Sequence, residues 1–139
     1  MKICATILLL PLTFPAMALA APEDFSGTFK GTDTNEVHGC LQAGYNGTSS
    51  DPSWVLTQEV KEGDVTGKGS NATGEFTVEG RVKGDTAKGV MTGVNKWNMH
   101  WQAEFSATVE GDTLKFQANG TVGGGSGCKF NSDVVAKKG

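Results

Sequence analysis

A chain of 139 residues with 20 glycines, 19% charged residues and a formal net charge of −3 has room for one modest core and no electrostatic pull toward nucleic acid. Outside the first 20 residues nothing repeats at helical spacing, and no His/Cys grouping has zinc-site spacing, so helical bundles and zinc modules are excluded.

In chain order, Met1-Lys2 is a short positive start, Ile7 to Leu12 a brief apolar run, and Ala18-Leu19-Ala20 a small-x-small cleavage signal. Residues 1–20 therefore read as a secretory signal peptide. The alternative of a buried helix is broken by Pro11 and Pro15, and the run is too short to span a bilayer. Cys4 lies far from the cleavage site, so no lipid anchor is expected. Cleavage would leave residues 21–139 as a single domain of 119 residues (139 less 20), secreted or periplasmic, with no integral membrane segment. It would carry 11 basic and 15 acidic side chains, a net charge of −4. In an oxidising compartment the remaining pair, Cys40 and Cys128, reads as a disulfide. Closing so long a loop would contribute roughly 4 to 5 kcal/mol by the chain-entropy argument.

Asp24 to Thr32 alternates Phe25, Gly27, Phe29 and Gly31 against polar residues and reads as the first strand. Thr32 to Glu36 reads as a polar turn, Val37 to Tyr45 as a second strand, and Asn46 to Ser53 as a loop. Trp54 to Lys61 returns to strand. Gly63-Asp64, Gly84-Asp85 and Gly111-Asp112 then recur between alternating runs, each suited to a two-residue type II′ hairpin. A Gly111-Asp112 loop sets Val109 against Leu114, Ala107 against Phe116 and Phe105 against Ala118. A Gly84-Asp85 loop sets Val82 against Ala87, Gly80 against Gly89 and Val78 against Met91, with Arg81 opposite Lys88 on the wet side. A Gly63-Asp64 loop sets Glu59 against Lys68.

Lys96 to Glu110 is the most regular stretch, with Trp97, Met99, Trp101, Ala103, Phe105, Ala107 and Val109 on one face. A Gly93-Val94-Asn95 connection would place Met91 beside Trp97, Gly89 beside Met99 and Ala87 beside Trp101. On its other edge Met99 would face Gly124, Trp101 Val122 and Ala103 Gly120. Bulky residues thus meet small ones, as a tightly curved sheet requires. After a Gly123-Gly124-Gly125 turn, Cys128 to Ala136 forms the last strand. Its phase conflicts with that of Cys40, so the disulfide needs a bulge or a place at the rim.

About eight strands in sequence order predict an all-β antiparallel up-and-down meander closed into a small barrel, which leaves no open edge. A two-sheet β-sandwich is the alternative. Gly27-Thr28-Phe29 resembles the Gly-x-aromatic opening of the calycin-like lipocalin and avidin barrels, with Phe29 where those families usually have Trp. The resemblance implies a lipocalin-like barrel that binds a small molecule inside, with an aromatic plugging one end.

No catalytic signature is present. His38 and His100 read as surface histidines, the glutamates sit on wet faces, and no Ser stands in a strand-to-helix Gly-x-Ser-x-Gly elbow. The run Gly123 to Gly127 precedes no helix and so makes no phosphate cradle. Asn46, Asn71 and Asn119 each open an Asn-x-Thr triplet, an acceptor only in a eukaryotic secretory host. The expectation is a non-enzymatic protein without cofactor or metal, holding a small apolar or aromatic ligand against Phe29, Trp54, Trp97, Met99 and Trp101. The alternative is a secreted protein-interaction factor, such as an enzyme inhibitor or host-facing effector, acting through the loops at Asn46 to Ser53 and Ser70 to Gly74. An interior void of about 300 Å³ or more favours the first, and a filled interior the second.

Overall fold

A computed structural model of the protein describes residues 20–123 and 127–139. The expected signal peptide lies, up to residue 19, outside the described residues, as does the centre of the Gly123 to Gly127 run. The described residues form eight antiparallel strands: β1 (Gly27–His38), β2 (Gly47–Lys61), β3 (Asp64–Asn71), β4 (Gly74–Lys83), β5 (Thr86–Asn95), β6 (His100–Glu110), β7 (Thr113–Val122) and β8 (Cys128–Lys138). Each pairs with the next, and β8 returns to β1 from Phe29 opposite Lys138 to His38 opposite Lys129. The molecule is therefore a closed meander barrel and not a sandwich. No helix among the described residues is long and apolar enough to cross a membrane.

Alternation along each strand sends one set of side chains inward. Phe29, Leu56, Val65, Val78, Phe105, Leu114 and Phe116 are buried, while their sequence neighbours are largely polar and exposed. Two hairpins have the expected registers, Val109 facing Leu114 and Val82 facing Ala87. Gly84 and Gly111 take φ of +63° and +62°, the left-handed first position that a side chain resists. Arg81 does lie opposite Lys88, but on its other edge it pairs with Asp64 at 2.7 Å.

Four expectations are corrected. The first hairpin turns at Glu62-Gly63, both with positive φ, so Glu59 faces Thr66 and not Lys68. This register sets Val60 against Val65 inside the barrel, where the other would have set it against Gly67. Second, there is no strand over Val37 to Tyr45 and no turn over Thr32 to Glu36. β1 runs on to His38, the connection lies at 39–46 with a short 3-10 helix over Ala43–Tyr45, and Asn46 to Ser53, expected as a loop, is almost wholly β2. Third, the β5–β6 connection is Lys96 to Met99 and not Gly93 to Asn95. The Asn95 side-chain oxygen accepts from the Trp97 and Met99 backbone N–H groups, and Asn98 adopts φ +61°. The register moves accordingly, so that Gly93 faces Trp101, Met91 faces Ala103 and Gly89 faces Phe105. On the β7 side Trp101 faces Val122 and Ala103 faces Gly120 as expected, while the Met99 and Gly124 pairing lies outside the described residues. Fourth, Cys40 bonds Cys128 from the β1–β2 connection and not from a second strand, which puts the bridge at the rim of the β1–β8 seam.

Large rings lie over missing side chains, though with partners other than those expected. Phe76 faces Gly69 on one side and Gly93 on the other, and a Cβ on Gly93 would come within 2.6 Å of the Trp101 ring. The two ends of the barrel differ. One is closed by two-residue turns and by a 3-10 helix at Pro22–Phe25 that drives Phe25 into the core. Its carbonyl accepts from Gln58 Nε2 at 2.7 Å, and Ser26 Oγ accepts from Val60 N–H at 2.9 Å. The other end carries the longer connections and the disulfide.

Candidate functional site: a polar-floored cavity at the loop end

At the loop end the interior is not filled. A partly open cavity of about 140 Å³ is lined by residues from several strands and from the β5–β6 connection. Part of the lining is aromatic. Trp54 and Trp101 wall it with Phe116 and Phe130, belonging to a run of rings at 4.9 to 6.1 Å: Phe105 to Phe116, Phe116 to Trp54, Trp54 to Phe76, Phe76 to Trp101 and Trp101 to Phe130. Trp97 contributes from the loop, 63% exposed, with Lys96 Nζ 4.7 Å from its ring centroid. All three tryptophans of the chain thus border one space.

Part of the lining is polar, an unusual choice for a barrel interior. β1 sends Asp33 and Asn35 inward between Gly31 and Val37, and β8 sends Ser132. Asp33 is only 5% exposed; its Oδ2 accepts a long 3.4 Å hydrogen bond from Ser132 Oγ, and its Oδ1 has no partner. Asn35 Oδ1 is likewise buried and unpartnered. Burial pushes the Asp33 carboxyl up to about 6; the Ser132 hydrogen bond opposes that shift, and the nearby charges of Asp51 and Asp133 add to it.

Asp51, opposite Asp33 on β2, shows the contrast. Partial burial pushes it up, but the backbone N–H groups of Ala72 and Ser53 and the Ser53 hydroxyl hold it below the usual carboxylate range. It anchors the β3–β4 turn to β2. Asn71 and Asn46 have similar duties: Asn71 Oδ1 accepts from Thr73 and Gly74, and Asn46 Oδ1 from Cys40 N–H. Among the described residues no three His, Cys, Asp or Glu side chains are grouped to hold a metal. His100 lies on the outer wall, bordering a broad open groove across β2 to β7, and His38 ends β1 with its Nδ1 buried and unpartnered.

Of the five expected ligand residues, the structure brings Trp54, Trp97 and Trp101 to the cavity. Phe29 is fully buried elsewhere in the core, under Lys138 Nζ at 5.4 Å, and half-buried Met99 closes the β5–β6 turn. Sequence reasoning missed Asp33 and Asn35 by taking 32–36 for a turn, and it passed over Ser132, which shares the inward phase of Phe130 and Val134 in a strand that was expected. The signal was present: Phe25, Gly27, Phe29, Gly31, Asp33, Asn35 and Val37 share one phase without interruption. A continuous phase with two polar members describes an inward polar patch.

No protein-family model matches the chain, and no curated protein does. Among solved structures, a protein of unknown function from the DUF3598 family of Nostoc punctiforme superposes with a TM-score of 0.53 at 11% sequence identity. The match covers 87% of this chain and 50% of that one, so the chain spans half the length of its neighbour. The likeness is one of fold alone.

Proposed function

We propose that the protein is a secreted, non-enzymatic binding barrel that takes a small aromatic or apolar molecule into its loop-end cavity. The observation that carries this reading is a void of about 140 Å³ walled by Trp54, Trp101, Phe116 and Phe130 in an otherwise packed core. The space falls below the ~300 Å³ of a drug-sized pocket but matches the ~150 Å³ in which a benzene ring is accommodated. The ligand is therefore a single ring or a short chain. Because every tryptophan borders the cavity, intrinsic fluorescence reads it directly. Toluene and benzyl alcohol are expected to give saturable changes at millimolar concentrations or below, weakened at least tenfold by filling the cavity with Ala118→Leu. If neither compound changes the fluorescence saturably, the reading fails.

A second reading, a protein-interaction factor, is favoured by one observation. Leu41, Tyr45 and Trp97 stand 81%, 69% and 63% exposed on connections at the same end. The residues differ from those expected, since Asn46 to Ser53 is mostly strand. Leu41→Ser with Tyr45→Ser would abolish association with a protein partner and leave ring binding unchanged.

A further inference from the structure

The cavity's polar side narrows the ligand class, an argument that rests on the interior-binding reading. An ionised carboxylate offers about four acceptor positions and donates nothing. Asp33 fills one of them, weakly, through Ser132, while Oδ1 is buried with no donor in reach. Asn35 adds a second orphan oxygen in the same wall. Buried oxygens without donors are costly, so the missing partner is a donor. Asp33 is the single charged residue lining the cavity among the described residues, and the charged groups acting on it from the adjoining strands, Asp51 of β2 and Asp133 of β8, are also negative. The potential therefore repels carboxylates and phosphates. The same cavity is lined by the aromatic rings of Trp54, Trp101 and Phe130, side chains that attract cations. A hard metal ion would want six or more oxygens, and the wall does not supply them.

We infer that the ligand is a small protonated amine, its ammonium donating to Asp33 and Asn35 and its single-ring or short apolar body lying against Trp54, Trp101 and Phe116. The N–H groups complete both orphan oxygens, and the positive charge neutralises the one buried negative one. A consequence is pH-dependent capture. An alkylammonium keeps its proton from pH 7.5 to 5, whereas Asp33 takes one up around pH 6, so amine affinity falls by up to tenfold per pH unit below that point.

The test compares benzylamine with its neutral near-isostere benzyl alcohol, by calorimetry and tryptophan fluorescence, at pH 7.5 and pH 5. Benzylamine is expected to bind at least tenfold more tightly than benzyl alcohol at pH 7.5 and to lose most of that advantage at pH 5. In Asp33→Asn the amine preference should vanish while benzyl alcohol still binds, which also reports that the variant is folded. If Asp33→Asn does not fold, the amine-to-alcohol ratio and its pH profile in the unaltered protein decide the matter. Equal affinities for the two compounds at pH 7.5 would overturn the amine assignment and leave the ring-binding cavity standing. Absence of saturable binding by either compound would overturn both.

Discussion

Asp33 sets a cost that the rest of the core must carry. Its pKa is about 6 in the folded chain against 3.8 in the unfolded one, so between these values the folded state holds a proton that the unfolded state has lost. Stability therefore falls as pH rises through that window and stays low above it, by up to about 3 kcal/mol at 1.36 kcal/mol per unit. Asp33→Asn removes the ionisation while keeping shape. It is expected to be more stable than the parent at pH 7.5, by about 1 to 3 kcal/mol in urea unfolding, with the gap closing toward pH 4. A parent and variant that differ equally at both pH values would contradict the assignment. Such a cost at a cavity wall is characteristic of functional sites, where local rules are broken for a ligand's sake. It also explains why the site was only half legible in the sequence. Tryptophans advertise themselves, whereas Asp33 and Asn35 in TDTNE look like the polar turns in which such residues usually occur.

Among the elements, the legible ones were those whose neighbours lie close in sequence. In β4–β5 and β6–β7 a glycine at the first turn position and apolar pairs on every second rung have one solution, and the structure adopts it. β5–β6 was misread because its pairing is decided by one side chain, Asn95, which folds the Lys96 to Met99 turn and takes Trp97 out of the strand. The most regular amphipathic stretch in the chain thus begins with a loop, since alternation marks faces but not where pairing starts. β1–β8 is the pairing most distant in sequence, and no local signal sets its register. There the disulfide acts, joining Cys40 and Cys128 just beyond the last rung, His38 opposite Lys129. The double variant Cys40→Ala/Cys128→Ala is expected to lose about 3 to 5 kcal/mol, seen as a lower urea midpoint. An unchanged midpoint would mean that the ladder alone holds the seam.

At the scale of the whole molecule the barrel is asymmetric, and under the proposed function the asymmetry separates folding from binding. The closed end is packed, with Phe25, Leu114 and Val65 no more than 1% exposed and two-residue turns beyond them. The loop end holds the cavity, the buried Asp33 and the exposed Trp97. Phe25 hangs from a short 3-10 helix outside the strand ladder and is held by the Gln58 hydrogen bond to its carbonyl and by its ring in the core. Truncating it removes a fully buried ring and leaves a cavity, so Phe25→Ala should cost about 3 to 5 kcal/mol. Because Phe25 does not border the cavity, the folded variant should bind benzyl alcohol with the parent's affinity when measured well below its unfolding midpoint. Urea unfolding and a fluorescence titration on one sample measure both quantities. Loss of stability with unchanged affinity is the expected outcome. A parallel loss of affinity in the still-folded variant would show that the plug and the cavity are one cooperative unit and that the division of the barrel into a folding end and a binding end is wrong.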